Sequence, residues 1–263
     1  MKTILLINDD GIESPGLIAM KKELEKFGKV FVIAPREERS GIGKAITSSG
    51  NVQIVETRLS DGSKAFATSG TPADAFLLAL NKILRHPPDL IVAGVNLGPN
   101  LGIDDLLNSG TLGAALEAAI HGVPAIAVSY CKREFTDQHA DKVRITEGQL
   151  EFAVKFAQKI VGYVLKNGMP PGVDVISVNV PENADCEKLK VTNLSYIGYR
   201  DIWTEEEEGY RIASWKLVDY EDADPETDVH VVKDGYISIT PIKVQLPHNI
   251  EALRSMIKNI HFE

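Results

Sequence analysis

Two adjacent carboxylates, Asp9 and Asp10, follow the apolar run from Ile4 to Ile7, with only Asn8 between them. Two carboxylates held close together repel each other unless a proton or a cation lies between them. A hard divalent ion such as Mg²⁺ or Mn²⁺ relieves that repulsion and takes oxygen ligands. Taken alone, however, the dipeptide favours an ordinary helix cap, in which one aspartate accepts backbone N–H groups and the other faces solvent.

Oxygen donors also follow two other predicted strands. Ser40 and Gly41 come after the second strand, and Asn96 comes at the end of the third core strand. Ligands of open α/β sheets bind beyond the carboxyl ends of the strands, so we expect these loops to meet at one edge of the sheet. Neutral donors at neighbouring strand ends suit a metal ion that retains several waters. Together, the three loops favour a metal site over the helix cap.

A turn of small residues, Ser109-Gly110-Thr111, leads directly into an alanine-rich helical pattern. Backbone N–H groups at a helix start attract anions, and the two hydroxyls add donors. Alone, this turn favours a simple N-cap, and a similar turn at Ser69 also opens a helix. Neither turn has the lysine of a Walker loop. Two helix starts that can bind anions, beside a metal site rich in oxygen donors, indicate phosphoester chemistry.

The elements that must position these residues alternate through the first two thirds of the chain. The predicted strands are residues 2–8, 29–34, 51–58, 89–95, 125–129 and 173–180. The predicted helices are residues 15–27, 72–84, 111–121 and one that carries the apolar stripe from Leu150 to Leu165. Alternation at this spacing predicts an α/β fold with a mostly parallel, doubly wound sheet.

The pattern changes after Pro181. Strand-like segments follow one another without intervening helices, and a helix is predicted to close the chain. The strands are residues 189–196, 210–218, 229–232 and 236–240, and the helix is 249–259. The adjacent glutamates 205–208 are expected at a solvated loop tip, since like charges repel when buried. The prediction is therefore an α/β core, residues 1–181, with a β-rich C-terminal extension, residues 182–263.

The formal net charge of −9 argues against polymeric nucleic acid as a partner, because phosphate backbones bind clustered Lys and Arg. A small phosphorylated substrate stays compatible, since a cation and backbone N–H groups neutralise its charge. No apolar stretch of the sequence is long enough to span a bilayer, so no membrane association is expected. Cys131 and Cys186 form no CxxC pair, and a reduced, cytoplasmic setting is predicted.

In their order along the chain, these motifs resemble the SurE family, the stationary-phase survival proteins that act as 5′-nucleotidases. The resemblance covers nearly the whole chain, and the blocks are far more specific together than singly. They are Asn8-Asp9-Asp10-Gly11-Ile12, Ala34-Pro35 with Ser40-Gly41, Ser69-Gly70-Thr71-Pro72-Ala73-Asp74, Gly94-Val95-Asn96 with Gly98 and Asn100, Ser109-Gly110-Thr111, Gly122-Val123-Pro124, Asn179-Val180-Pro181 and Thr227-Asp228.

The resemblance implies a Rossmann-like core and one divalent metal ion, Mg²⁺ or Mn²⁺, per subunit. The implied ligands are Asp9, Asp10, Ser40 and Asn96. Metal-assisted hydrolysis would then use Asp9, Asp10 and Asn96 in catalysis, while the phosphate would bind to Ser109, Gly110, Thr111, Ser40 and Gly41. The implied substrates are nucleoside 5′- and 3′-monophosphates and, for some members, polyphosphate.

The resemblance also implies a homodimer or homotetramer that associates through the C-terminal extension. Two departures from the family pattern stand out. Asn108 occupies a position where the family commonly has tyrosine, and residues 197–223 match only weakly. These departures concern the wall of the phosphate pocket and the contacts of the extension.

Two other classes of protein share parts of this pattern. A signalling receiver module also has an acidic pair after its first strand, but its phosphoacceptor position is Gly94 here, and the chain is about twice the length of such a module. A dinucleotide-binding protein needs a GxGxxG fingerprint, which the first loop lacks. Phosphoester hydrolysis is therefore favoured, with a non-catalytic receiver-like or nucleotide-binding module as the alternative.

Overall fold

A nine-stranded sheet dominates the computed structural model, which describes residues 1–132, 145–196, 198, 203–212, 224–245 and 249–258. The described strands are β1 (Lys2–Ile7), β2 (Gly28–Pro35), β3 (Ile54–Arg58), β4 (Lys64–Thr68), β5 (Leu90–Leu97), β6 (Ala125–Cys131), β7 (Val175–Pro181), β8 (Leu189–Val191), β9 (Trp203–Glu206), β10 (Gly209–Ile212) and β11 (Ile237–Ile242). The described helices are α1 (Pro15–Leu24), α2 (Pro72–Leu78), α3 (Gly102–Asn108), α4 (Gly110–Ile120), α5 (Glu147–Asn167), α6 (Asp228–Lys233) and α7 (Ile250–Lys258). A π-helical turn, Ala79–Ile83, continues α2.

The strands of the large sheet lie in the order β3-β4-β2-β1-β5-β6-β7-β11-β8. From β4 to β7 all neighbouring strands are parallel. At the two edges β3 and β11 run antiparallel to β4 and β7, and β8 is parallel to β11. The winding reverses between β1 and β5, since the chain moves from β1 to β2 in one direction and from β5 to β6 in the other. Ligands of such sheets bind at this reversal, beyond the carboxyl ends of the strands.

The two central strands are buried between two helical layers, as a parallel sheet requires. Ile4 and Leu6 of β1 lie in the core beneath α1 and α5, whereas Leu5 and Ile7 lie in the opposite core with α2 and α4. This alternation arises because successive side chains of a strand point to opposite faces. Every residue of β5 is buried as well. The predicted α/β fold with a mostly parallel, doubly wound sheet is confirmed.

The prediction of a strand at residues 229–232 is wrong, because this segment lies in α6. Its β-branched run is typical of a buried strand, but Thr227 is the N-cap of a helix and Asp228 lies in the first turn. The three valines of α6 are buried against the sheet, so helix packing and not strand pairing explains them. Three further elements, β4, α3 and β9, were not predicted.

The chain beyond Pro181 adds strands to the same sheet, through the pairing of β11 with β7 and of β8 with β11. β9 and β10 form a separate hairpin, in which the glutamates 205–208 are exposed as predicted, although Glu205 and Glu206 belong to β9 and only Glu207 and Glu208 form the turn. A strand-rich C-terminal part is therefore present, although the division at residue 181 stays a prediction. The predicted strand 210–218 is described only to Ile212, and its other residues lie outside the described part of the chain. Within the described residues, no helix combines the length and apolar character needed to cross a membrane.

Candidate active site

The acidic pair lies where the winding of the sheet reverses. The Asp10 Oδ2 accepts a hydrogen bond from the backbone N–H of Leu97 at 2.9 Å, which ties the end of β1 to the end of β5. Asn96 is buried, and its Nδ2 donates to the Gly98 carbonyl at 2.8 Å. Because the amide nitrogen is engaged in this way, Oδ1 is the Asn96 atom that would meet a cation. Asp10 and Asn96 are therefore brought to one place at the edge of the sheet.

The buried carboxylate of Asp9 lies against the start of α4. The Thr111 Oγ1 donates to the Asp9 Oδ1 at 2.5 Å, although the two residues are 102 positions apart. Gly110 makes this approach possible, because a Cβ atom there would lie 2.7 Å from the Asp9 Cβ and 3.0 Å from its Oδ2. Real Cβ atoms essentially never come so close to another heavy atom. The predicted metal donors and the predicted phosphate-binding turn are thus direct neighbours.

The start of α4 offers an anion its backbone N–H groups and the hydrogen of the Ser109 hydroxyl, whose oxygen acts as an acceptor. The Ser109 Oγ accepts from the Leu112 N–H at 3.2 Å as the N-cap, and the Thr111 hydroxyl is engaged with Asp9. The Gly113 N–H bonds to the Ser109 carbonyl. The first N–H groups of a helix have no acceptor within the helix, so those of Gly110 and Thr111 are the ones that a phosphate oxygen would take.

Ser40 lies in an exposed loop beside this cluster. Its hydroxyl donates to the Glu38 Oε1 at 2.6 Å. The neighbouring Arg39 N–H donates to the Asp9 carbonyl oxygen at 2.7 Å, which brings the loop against the acidic pair. Gly41 is also exposed and has a φ of 70°, a conformation that favours glycine. The loop that carries Ser40 and Gly41 therefore lies next to Asp9, and the Ser40 hydroxyl bonds to Glu38.

The loop after β2 is anchored to the helix starts on both sides. The Gly43 N–H donates to the Asn108 carbonyl at 2.6 Å, and Lys44 forms an ion pair with the buried Glu117 of α4. Further along, the Asp74 carboxylate accepts from the backbone N–H and the hydroxyl of Thr47, at 3.0 and 2.6 Å. These contacts keep the Ser40 loop beside the acidic pair.

The turn at Ser69 opens α2 but does not offer a second anion site. Thr71 and Asp74 form a capping box, in which each side chain accepts the backbone N–H of the other residue. Burial works to raise the pKa of the Asp74 carboxyl, but the hydrogen bonds from Thr47 and Thr71 outweigh it and hold that pKa below its ordinary value. A stable carboxylate thus already occupies this helix start, which leaves α4 as the anion-binding start near the acidic pair.

The donors at the sheet edge fit a hard divalent cation. Asp9 and Asp10 supply carboxylate oxygens, Asn96 an amide oxygen and Ser40 a hydroxyl on the rim, all of which suit Mg²⁺ or Mn²⁺. The Asn8 Oδ1 beside the pair is buried and accepts no hydrogen bond from the described residues, a state that a bound ion or its water would relieve. In the described ranges no three His, Cys, Asp or Glu side chains cluster as metal ligands. A cation here would therefore depend on neutral oxygens and water besides the two carboxylates.

Three buried polar residues near the site stand in the motifs of the family resemblance, but sequence reasoning gave them no role. Asn100, Asn179 and Asp228 are almost inaccessible to solvent and bond to the chain segment between Asn96 and Ser109. One signal was present, since Asn179 is a large polar residue near the end of the mostly apolar β7. Its partners were not visible, because Asn100 lies 79 positions away and Cys131 lies 48 positions away.

The fold and site together define a doubly wound α/β protein with an acidic pair at the reversal of its sheet. The chain belongs to the SurE family: the family model described as "Survival protein SurE" matches residues 4–201. The resemblance expected from the sequence motifs is confirmed.

Relatives of known name match over almost their whole length. The 5′-nucleotidase SurE of Archaeoglobus fulgidus is 38% identical over 252 residues, which cover 94% of each chain. The 5′-nucleotidase SurE of Methanobrevibacter smithii is 36% identical and covers 97% of this chain and 99% of its own. Among solved structures, the SurE protein from Aquifex aeolicus superposes with a TM-score of 0.75 at 32% identity, covering 97% of this chain and 98% of that one.

Proposed function

We propose that this protein is a metal-dependent phosphomonoesterase that hydrolyses nucleoside 5′-monophosphates to nucleoside and phosphate. The names of the relatives support the nucleotidase activity. The observation that carries the proposal is the contact of Asp9 with the start of α4, where a metal-binding carboxylate and an anion-binding turn meet. Such an arrangement suits a substrate that presents a phosphate to a cation from one side and to backbone N–H groups from the other.

One Mg²⁺ or Mn²⁺ ion, held by Asp9, Asp10, Ser40 and Asn96, would neutralise phosphate charge and lower the pKa of a water molecule. The Gly110 and Thr111 N–H groups hold phosphate oxygens and orient the phosphorus. Asp9 or Asp10 accepts the proton of the water that attacks the phosphorus, as the bond to the ester oxygen breaks and that oxygen takes up a proton. The Thr111 hydroxyl fixes the orientation of Asp9 throughout.

Water is a better nucleophile here than Asp9 itself. The Thr111 hydroxyl donates to the Asp9 Oδ1, and a cation would draw further on the same carboxylate. Both interactions withdraw electron density from the carboxylate oxygens, so formation of a phosphoaspartyl intermediate is disfavoured. This arrangement supports direct transfer of the phosphoryl group to water.

The finer proposals concern other substrates and assembly. Nucleoside 3′-monophosphates and short polyphosphate present the same terminal phosphate group to the site, and we include them as substrates. The protein acts in the cytoplasm as a homodimer or homotetramer. Support for self-association comes from exposed apolar side chains in the C-terminal part of the chain, which are Trp203, Tyr210, Ile250, Leu253, Met256 and Ile257.

A phosphate-release panel tests the proposed function. The purified protein, supplied with Mg²⁺ or Mn²⁺, is incubated with nucleoside 5′- and 3′-monophosphates, the corresponding triphosphates and tripolyphosphate. We expect a higher kcat/KM for the nucleoside monophosphates than for the triphosphates and tripolyphosphate, because a single phosphate group matches the anion-binding turn beside Asp9. A folded protein that releases phosphate from none of the nucleoside monophosphates with either metal would exclude the proposal.

A further inference from the structure

The segment 98–108, here called the linker, joins the two halves of the candidate site. It begins two residues after Asn96, and immediately after it lies Ser109, the N-cap of the phosphate-binding turn. At its far end, the Asn108 carbonyl accepts from the Gly43 N–H, so the linker also supports the Ser40 loop. The position of the linker therefore decides whether Gly110 and Thr111 meet Asp9.

Asn179 holds the first half of the linker. Its Oδ1 accepts from the Asn100 N–H and its Nδ2 donates to the Asn100 carbonyl, each at 2.9 Å. The side chain of Asn100 in turn donates from Nδ2 to the Ser129 Oγ on β6 at 2.8 Å. Asn179 is wholly buried in β7, and a buried amide is tolerated only when its polar atoms are bonded. Both polar atoms of the Asn179 amide therefore form hydrogen bonds with one residue of the linker, Asn100.

Asp228 holds the second half. Its Oδ2 accepts from the Gly102 N–H at 2.8 Å, at the first residue of α3. Its Oδ1 accepts from the N–H groups of Ser195 and Val229, at 3.0 and 2.9 Å. The Ser195 carbonyl in turn accepts from the Ile103 N–H at 2.7 Å. The C-terminal part of the chain is thus bonded directly to the start of α3.

Burying the Asp228 carboxylate costs free energy, and a role as a helix cap alone does not explain that cost. The carboxyl is almost completely buried, and this burial raises its pKa even though backbone N–H groups work in the opposite direction. A first-turn aspartate stabilises a helix equally well when it is exposed to solvent. Only the contacts with the linker and with Ser195 require a buried acidic side chain at this position.

We propose that Asn179 and Asp228 are positioning residues, which hold the linker so that the phosphate-binding turn meets the metal-binding carboxylates. The inference rests on the proposed function, since it concerns the same site. It gives the C-terminal part of the chain a role within the active site of its own subunit, in addition to self-association. Neither residue contacts the substrate; both act through the backbone of the linker.

The substitution Asp228→Asn tests this role. The substitution preserves the shape of the side chain, but it replaces one carboxylate oxygen by an NH₂ group. That group cannot accept a hydrogen bond from a backbone N–H, so one of the contacts to Gly102 or Ser195 is lost. Because displacements of about 1 Å cost on the order of 10²-fold in rate, we expect kcat/KM for a nucleoside 5′-monophosphate to fall by roughly that factor. The inhibition constant of inorganic phosphate should rise about tenfold, while the metal concentration for half-maximal activity stays within about twofold, since the metal donors are not bonded to Asp228.

Thr240→Val is the matched control. Thr240 is equally buried in the C-terminal part of the sheet, where its hydroxyl bonds to Thr192 and Ser238 and not to the linker. This variant should lower Tm and leave kcat/KM and phosphate inhibition at the wild-type values. If Asp228→Asn behaves in the same way, with only a lower Tm, the positioning role is wrong.

Two further measurements distinguish a failure of the positioning role from a failure of the proposed function. If Asp228→Asn does not fold, Asn179→Ala removes both bonds from the other positioning residue to the Asn100 backbone, and an unchanged phosphate inhibition constant in that variant would overturn the proposal. Binding of inorganic phosphate is also measured by calorimetry, without turnover. A wild-type protein that binds phosphate but hydrolyses no nucleotide would exclude the proposed function, whereas equal phosphate binding by wild type and Asp228→Asn would exclude the positioning role.

Discussion

Replacing Asp9 by asparagine is expected to lower kcat/KM for nucleoside 5′-monophosphates by about 10³-fold, equivalent to roughly 4 kcal/mol of transition-state stabilisation. The substitution removes one negative charge from the proposed metal ligands but keeps the shape of the side chain. An amide oxygen can still accept the hydrogen bond from the Thr111 hydroxyl, so the start of α4 should stay in place. The variant is therefore expected to fold and to need more metal for its residual activity.

Asp89→Asn is the control for this prediction. Asp89 lies at the opposite, amino-terminal end of the same central strands, where its carboxylate accepts from Lys2 and from the Thr3 N–H. The same change of charge there should lower stability slightly and leave turnover unchanged. Turnover is measured by phosphate release over a range of Mn²⁺ concentrations. Near-normal turnover of Asp9→Asn at saturating Mn²⁺ would contradict the assignment of Asp9 as a ligand.

Gly110→Ala is expected to lower turnover strongly while it changes thermal stability little. Its new methyl group would lie 2.7 Å from the Asp9 Cβ, so either Asp9 or the start of α4 must move. A displacement on the order of 1 Å should reduce kcat/KM by about 10²-fold. Alanine is favoured over glycine in a helix by about 1 kcal/mol, so the loss of stability from the clash is partly offset. We expect a large loss of turnover with a small change in Tm.

Gly148→Ala provides the comparison, because this glycine also lies in the first turn of a helix, α5. The nearest heavy atom to a Cβ there is the Thr146 Oγ1 at 3.9 Å, an ordinary contact. This variant should gain stability from helix propensity and keep full turnover. Both variants are assayed for phosphate release and thermal unfolding. Wild-type turnover in Gly110→Ala would mean that the contact between Asp9 and α4 has no part in catalysis.

The parallel core and the polar loops at its edge were predictable from the sequence. The apolar run from Ile4 to Ile7 ends at Asn8 and two aspartates, and the apolar run of β5 ends at Asn96, so each pattern marks a strand and the donors at its end. Since the carboxyl ends of parallel strands share one edge, the meeting of these loops follows without knowledge of the structure. The capping box of Thr71 and Asp74 was also readable from its spacing, which would have removed the second helix start as an anion site.

Other features depend on contacts between residues far apart in the chain. The need for glycine at position 110 arises from Asp9, and the buried position of Asp228 arises from Gly102 and Ser195. No local pattern contains such information. The valine-rich segment of α6 misled the sequence-based prediction for a similar reason. Its β-branched residues favour strands in general, but they pack here as a helix after the cap at Thr227.

Phosphate release before and after metal removal tests the central claim most directly. The wild-type protein is treated with EDTA, dialysed, and assayed with a nucleoside 5′-monophosphate alone and after addition of Mg²⁺ or Mn²⁺. We expect activity to be lost with EDTA and restored by either ion, with no comparable restoration in Asp9→Asn. Hydrolysis that continues unchanged in EDTA would contradict a metal site on Asp9 and Asp10.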